Sequence, residues 1–203
     1  VVRPIPDSTT WELREAEAGI DDGTVAGVMI EYLGWANGRV RDEYGVDDPP
    51  TDPRRVHTSL AQFRRRHGVL LLAEHDAEPA GIGALRRLSE GVAEVKRMYV
   101  VPSWRGRRIS SAILDRLIGE AEAMRARTLR LDTCRFMSDA QRLHRSRGFV
   151  ERGPYEGTEI PPRLQQHWAF FERGLGSPGS PREPVDRGRL RDVPRGGASA
   201  GGA

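Results

Sequence analysis

The chain has 203 residues, 37% of them hydrophobic, with 32 basic against 29 acidic side chains. That length supports one domain with its own core, and no run of 18 apolar residues offers a membrane span. The single cysteine, Cys134, excludes a disulfide framework and a cysteine-built zinc site.

Residues 1–7 read as a flexible N-terminus without the apolar core of a secretion signal, so a cytoplasmic location is expected. Residues 10–16 alternate weakly and predict a first strand. Residues 23–36 carry a helical stripe of Val25, Val28, Met29, Tyr32 and Leu33. Residues 42–52, DEYGVDDPPTD, read as an acidic loop. Asp52 is placed to cap a helix that starts at Pro53 and runs to about His67. GVLLLAEH, residues 68–75, is a short apolar run and predicts a buried strand that forms a hairpin with residues 77–89. Residues 91–101 predict another strand. After Pro102 the period becomes helical, with Ile109, Ile113, Leu114, Leu117 and Ile118 on one face to about Ala126. Residues 128–133 are strand-like. A helix capped by Ser138 stops at Gly148, and a last strand falls in 167–173. From Gly176 to 203 the chain is rich in Gly, Pro, Ser and Arg and predicts a disordered tail. The domain is then 8–175, an α/β (α+β) chain whose mixed twisted sheet of six to seven strands has helices on both faces.

Two stretches carry chemistry. In VVPSWRGRRISSAIL, residues 100–114, a strand enters a helix through Gly106 among Arg105, Arg107 and Arg108. Free helix N–H groups and the macrodipole make such a turn an anion seat. It lacks the glycine–lysine pattern of a nucleotide triphosphatase loop. The tail holds five arginines against three acids, so the body is close to neutral, which argues against a nucleic-acid footprint. The five histidines lack metal-ligand spacing, so no metal site is expected.

VAEVKRMYVVPSWRGRRISSAILDRLIGEA and LRLDT…MSDAQRLHRSRGF resemble the core of the GCN5-related N-acetyltransferase (GNAT) superfamily. The resemblance implies that fold, direct acetyl transfer from acetyl-CoA to a primary amine, and a cofactor turn over Ser103 to Arg108. It places the cofactor against Met98, Tyr99, Val100, Ser103, Arg105, Gly106, Arg107, Arg108, Ile109 and Ser110. The family's turn usually reads Gln/Arg-x-x-Gly-x-Gly/Ala. Here Ser103 opens it, Gly106 keeps the first glycine, and Arg108 replaces the second small residue. Met137 stands where relatives often carry asparagine.

The resemblance also implies a general base at Glu94, which strand alternation puts with Lys96 and Met98, opposite Val95, Arg97 and Tyr99. It implies a general acid at His144, four residues before Gly148, where relatives carry tyrosine; an imidazole titrating near neutrality serves that role. Tyr99 and Tyr155 are fallback hydroxyls, and Cys134 is read as packing. The acceptor wall is expected around Asp42, Glu43, Asp47, Asp48 and Asp52, with Trp35 and Tyr44, which would attract a cationic amine on a small molecule or a protein. Two alternatives stand beside this: a CoA-binding, catalytically inactive or regulatory member, and a basic nucleic-acid or partner binder that also uses Arg145, Arg147 and Arg152. Either a monomer or a homodimer is compatible with the sequence.

Overall fold

A computed structural model describes residues 10–46, 50–64 and 66–176. The predicted N-terminus at 1–7 and the tail beyond 176 lie outside those residues. Seven strands form one sheet in the order β1-β2-β3-β4-β5-β7-β6. They are β1 (Glu12–Glu15), β2 (Gly68–His75), β3 (Glu78–Ser89), β4 (Val92–Val100), β5 (Thr128–Cys134), β6 (Val150–Arg152) and β7 (Trp168–Gly174). The helices are α1 (Asp22–Tyr44), α2 (Pro53–Ser59), α3 (Ile109–Ala123) and α4 (Ser138–Ser146).

The sheet buries both faces, as the apolar run of β2 requires. Leu71, Leu85 and Phe171 pack under Ile113, Leu114 and Leu117 of α3. Leu70, Leu72 and Ile82 pack on the other face against Val25 and Met29 of α1, and Phe63. Each such side chain contributes about 1.5–3 kcal/mol on leaving water. Gly83 fixes the seat of α3, because a Cβ there would lie 2.2 Å from Ile113 Cγ2.

Besides β6, which the sequence reading does not place, and α4, whose N-cap is Met137 without a side-chain cap rather than Ser138, three elements differ from that reading. Helix α1 runs eight residues past 36 and closes at Gly45, which adopts φ 63°. The helix begun at Pro53, with Asp52 accepting from the Arg54 N–H at 2.9 Å, passes into a 3-10 turn and ends at Phe63 rather than near His67. The third is in β4. Ile82 faces Tyr99 while Ala84 faces Lys96, so Arg97 and Met98 together oppose Gly83. This is a β-bulge, with Arg97 at φ 55°. It reverses the alternation: Tyr99 packs in the α1 core with the Glu94 and Lys96 face, while Met98 joins Val95 against α3. The expected grouping of Glu94, Lys96 and Met98 is therefore corrected at Met98 and Tyr99.

Candidate functional site

Strands β4 and β5 pair in parallel only from Val92/Thr128 to Val95/Leu131. Beyond that point each stays attached to its outer neighbour, β4 to β3 as far as Val100 and β5 to β7 as far as Cys134. The two strands therefore part and open a wedge. A cavity of about 600 Å³ fills it, walled by Lys96 to Val100 and by Leu131 to Thr133. It reaches the start of α3 at one end and Tyr32, Trp35 and Phe136 at the other.

The start of α3 is built as an anion seat. The first helical hydrogen bond inside it is from Ala112 N–H to Arg108 O, and no side chain caps the helix. The N–H groups of Ile109, Ser110 and Ser111 thus have no helical partner, and these residues line the cavity. Gly106 takes φ 79°, with open space around the position of a Cβ. Arg108 takes φ 62°, ψ 13°, a left-handed conformation that glycine adopts freely and arginine does not. The residue is thus held at a strained position rather than in ordinary helical geometry. Arg108→Gly is expected to raise stability by about 1 kcal/mol, read as a higher urea midpoint.

Not every predicted turn residue faces the cavity. Ser103 is exposed in the 3-10 turn Pro102–Trp104, and Arg107 lies over the Trp104 ring at 4.6 Å; neither lines it. Arg105 does, but its guanidinium sits over Trp35 and Tyr99, 5.7 Å from each centroid, on the α1 side of the sheet. Met98, Tyr99, Val100, Gly106, Arg108, Ile109 and Ser110 all line the cavity as expected.

Glu94 does not reach it. The side chain is fully buried, and its Oε2 accepts from Arg86 Nε at 2.6 Å while its Oε1 accepts from Tyr155 Oη at 2.7 Å. Both carboxylate oxygens are committed, so the position expected to supply a base supplies a structural anion. The carboxylate that does line the cavity is Asp132. Its Oδ2 lies 2.9 Å from Lys96 Nζ and 3.4 Å from Tyr155 Oη. Burial pulls the Lys96 ammonium down, but Asp132, Glu94 and Glu159 outweigh it and hold the lysine above its usual value. Burial first, then Asp132 and Glu94, push the Tyr155 hydroxyl far up, so it stays protonated and donates to Glu94. The signal for Asp132 was present in the sequence as a carboxylate inside the apolar strand LRLDT.

His144 does reach the cavity, but in a different state from the one expected. It is 5% exposed, set against the Phe149 and Phe171 rings, with Nδ1 buried and without a hydrogen-bond partner. Burial lowers it to about 4, so at neutral pH the ring is uncharged and keeps a single N–H. A folded-state value below the unfolded one means stability is full above about pH 6.5 and is lost as pH falls toward 4. At about 1.4 kcal/mol per pH unit, roughly 2 kcal/mol should be gone at pH 5. Urea midpoints at pH 7.5 and 5.0 should fall further for the wild type than for His144→Leu. Cys134 is inert for a related reason, since burial and then Asp132 push its thiol up to about 12.

A family model described as the acetyltransferase (GNAT) family matches residues 37–149, more than half of the chain. The chain belongs to the GNAT acetyltransferase family. An N-acetyltransferase of Schizosaccharomyces pombe is 30% identical over 118 residues, 57% of this chain and 69% of that protein. An IAA acetyltransferase of Azospirillum brasilense is 37% identical over 86 residues, 42% of this chain and 56% of that protein, so the match spans little more than half of that relative. Among solved structures, an N-acetyltransferase of Staphylococcus aureus superposes with a TM-score of 0.63 at 22% identity, over 82% of this chain and 99% of that one. A PaiA N-acetyltransferase of Thermoplasma acidophilum, in complex with coenzyme A, superposes with a TM-score of 0.61 at 16% identity, over 82% and 99%. At these identities the likeness establishes the fold.

The acceptor side of this GNAT domain differs from the acidic wall expected. Asp42 and Glu43 lie in the last turn of α1, where Glu43 pairs with Arg39. Asp52 is spent on capping α2, and Asp47 and Asp48 lie outside the described residues. Tyr44 stacks on His167 at 4.2 Å, away from the cavity wall. Trp35 does line the cavity, with Tyr32 and Phe136; the charges at this corner are Arg39, Arg105 and one acid, Glu31, which accepts from Tyr99 Oη at 2.9 Å. The loop 153–166, expected to shape the acceptor side, sends Tyr155 and Glu159 inward to the Glu94–Arg86–Lys96 cluster.

Proposed function

We propose that this GNAT chain transfers an acetyl group from acetyl-CoA to a primary amine by direct attack. The observation that carries the reading is the wedge between β4 and β5, which joins the anion seat of α3 to the carboxylate of Asp132 in one cavity. The N–H groups of Ile109, Ser110 and Ser111 would hold the pyrophosphate, with Arg108 beside them. The main chain of Met98 to Val100 would pair with the pantetheine arm, a contact that needs no particular side chain. Bound there, acetyl-CoA supplies an acyl group activated as a thioester. Two structural neighbours, one in complex with coenzyme A and one from Salmonella typhimurium with its cofactor acetyl-CoA, support this choice of cosubstrate.

Asp132 takes a proton from the attacking amine at its carboxylate, directly or through one water. Lys96 fixes the position of that carboxylate. Met98 and Leu143 keep the inner wall apolar and limit water. His144, uncharged at neutral pH, gives at most an N–H hydrogen bond to a developing thiolate. That last point favours a second reading, a chain that binds CoA without turning it over. The acceptor class covers an amine on a small molecule or on a protein or peptide, met in the cytoplasm by a monomer or a homodimer.

Calorimetric titration with acetyl-CoA, followed by thiol release over a panel of amines, tests both readings. Saturable 1:1 binding with amine-dependent thiol release is the expected result. Binding without release for any amine would support the inactive reading, and no binding at millimolar acetyl-CoA would remove both.

A further inference from the structure

Tyr32 is the residue at which the apolar stripe of α1 leaves the core and meets the wedge. Val25, Val28 and Met29 of that stripe are buried, while Tyr32 is partly buried and lines the cavity. Its ring lies 5.3 Å from that of Tyr99 and 6.4 Å from that of Trp35. It therefore stands beside the stretch of β4 whose main chain would carry the pantetheine arm. It also shares a side of the sheet with Asp132. Leu131 packs in the core under α3, so strand alternation turns Asp132 to the α1 side. His144 belongs to the other side, against Phe149 and Phe171.

A tyrosine packed this far into a protein usually gives its hydroxyl a partner. Tyr99 donates to Glu31 at 2.9 Å, Tyr155 to Glu94 at 2.7 Å, and Thr133 to Met137 Sδ at 3.3 Å. Tyr32 Oη has no such acceptor among the described residues and opens on the cavity. Burial pushes this hydroxyl up to about 12; Arg97 opposes the rise, and Cys134 and Asp132 add to it. At neutral pH it is a protonated donor, and the Arg97 charge favours negative charge next to it.

We infer that Tyr32 is a catalytic hydrogen-bond donor whose Oη–H meets the thioester carbonyl oxygen of bound acetyl-CoA as the amine adds. This rests on the acetyl-transfer reading above. The amine nitrogen forms the new C–N bond, and its proton passes to Asp132. The carbonyl electron pair moves onto oxygen, where the Tyr32 hydroxyl meets it. When that pair returns, the C–S bond breaks, and the thiolate leaves and takes a proton from solvent. Tyr32 keeps its own proton throughout. A donor already fixed in the wall stabilises the developing oxyanion without having to reorient, which water must do.

The test reads the carbonyl stretch of acetyl-CoA carrying carbon-13 at the thioester carbon, by difference infrared spectroscopy of the saturated complex, so it needs no acceptor. Binding to the wild type should move the band below its frequency in free acetyl-CoA, and Tyr32→Phe should abolish most of that shift. Tyr32→Phe should also lose about 100-fold in kcat, the range of one oxyanion donor. Its affinity for acetyl-CoA, measured by calorimetry, should stay within about twofold, because the pyrophosphate is held elsewhere by main-chain N–H groups and phenylalanine keeps the ring packing. A wild-type band at the free frequency overturns the assignment without any variant. So does a Tyr32→Phe complex that keeps the wild-type band, whatever its kcat, since the ring then only packs or orients the amine. Turnover by Tyr32→Phe within about threefold of the wild type overturns it as well, being far short of the loss of an oxyanion donor. If no amine releases thiol, the acetyl-transfer reading fails by itself, and the two infrared bands still decide whether Tyr32 donates to the carbonyl.

Discussion

Glu94→Ala is expected to destabilise the protein by about 3–5 kcal/mol, read by urea unfolding at pH 7.5. The size follows from what the substitution leaves behind. Arg86 has a side chain only 14% exposed, and its strongest anion is Glu94 Oε2 at 2.6 Å. Tyr155 loses its buried acceptor at 2.7 Å, and Lys96 loses a carboxylate at 3.6 Å. Removing one member of a buried charge network leaves the others uncompensated, which costs far more than the pair contributes against an apolar replacement. Glu94→Gln should lose less, because an amide oxygen still accepts from Tyr155. This variant also separates structure from chemistry. If folded Glu94→Gln binds acetyl-CoA normally but loses turnover 100-fold, the base belongs to Glu94 and not to Asp132.

That network explains why the fold was legible in the sequence and the site only in part. The hairpin, the strand–turn–helix at Gly106 and the two-sided core follow from local signals: a five-residue apolar run after Gly68, a switch of period at Pro102, and Gly148 closing α4 at φ 79°. What escaped depends on contacts distant in sequence. Tyr155 and Glu159 cover Glu94 from 61 and 65 positions away, and no local pattern shows that a strand carboxylate will be sealed by a later loop. The bulge is similar. Arg97 at φ 55° has no sequence mark, yet it turns Tyr99 toward α1 and Met98 toward the wedge. Helix α1 did carry a mark, since Gly45 is the left-handed residue that ends it, but the acids at 42 and 43 resemble a loop until Glu43 is seen paired with Arg39 one turn back. Arg105 shows the limit most plainly: a basic turn is readable, but which side of the sheet each arginine takes is decided by the rings waiting there.

The same geometry is the reason the proposed proton acceptor lies on β5 rather than β4. Both strands carry a carboxylate near the wedge, and burial distinguishes them. Glu94 precedes the point where the strands part, so it is packed inside the sheet. Asp132 follows Leu131, the last paired residue of β5, so it opens on the cavity. An acid one register position beyond a strand split is accessible to substrate while its backbone is still held by β7 through Phe170.

Asp132→Ala should therefore lower kcat by about 100-fold or more, the range of a positioned proton acceptor, while leaving acetyl-CoA affinity unchanged by calorimetry. The fold should survive, because Lys96 keeps Glu94 at 3.6 Å and Glu159 at 3.4 Å as anions. Asp132→Asn preserves the shape and removes the charge, so it should lose turnover to a similar extent. Formate added to Asp132→Ala should recover part of the rate, since a small carboxylate can enter the vacated space, and should do nothing for Asp132→Asn, where the amide fills it. A purely structural role predicts the reverse pattern: near-normal kcat in Asp132→Asn, reduced stability in Asp132→Ala, and no response to formate in either. Unchanged kcat in both variants would remove Asp132 from the chemistry and leave water as the acceptor of the amine proton.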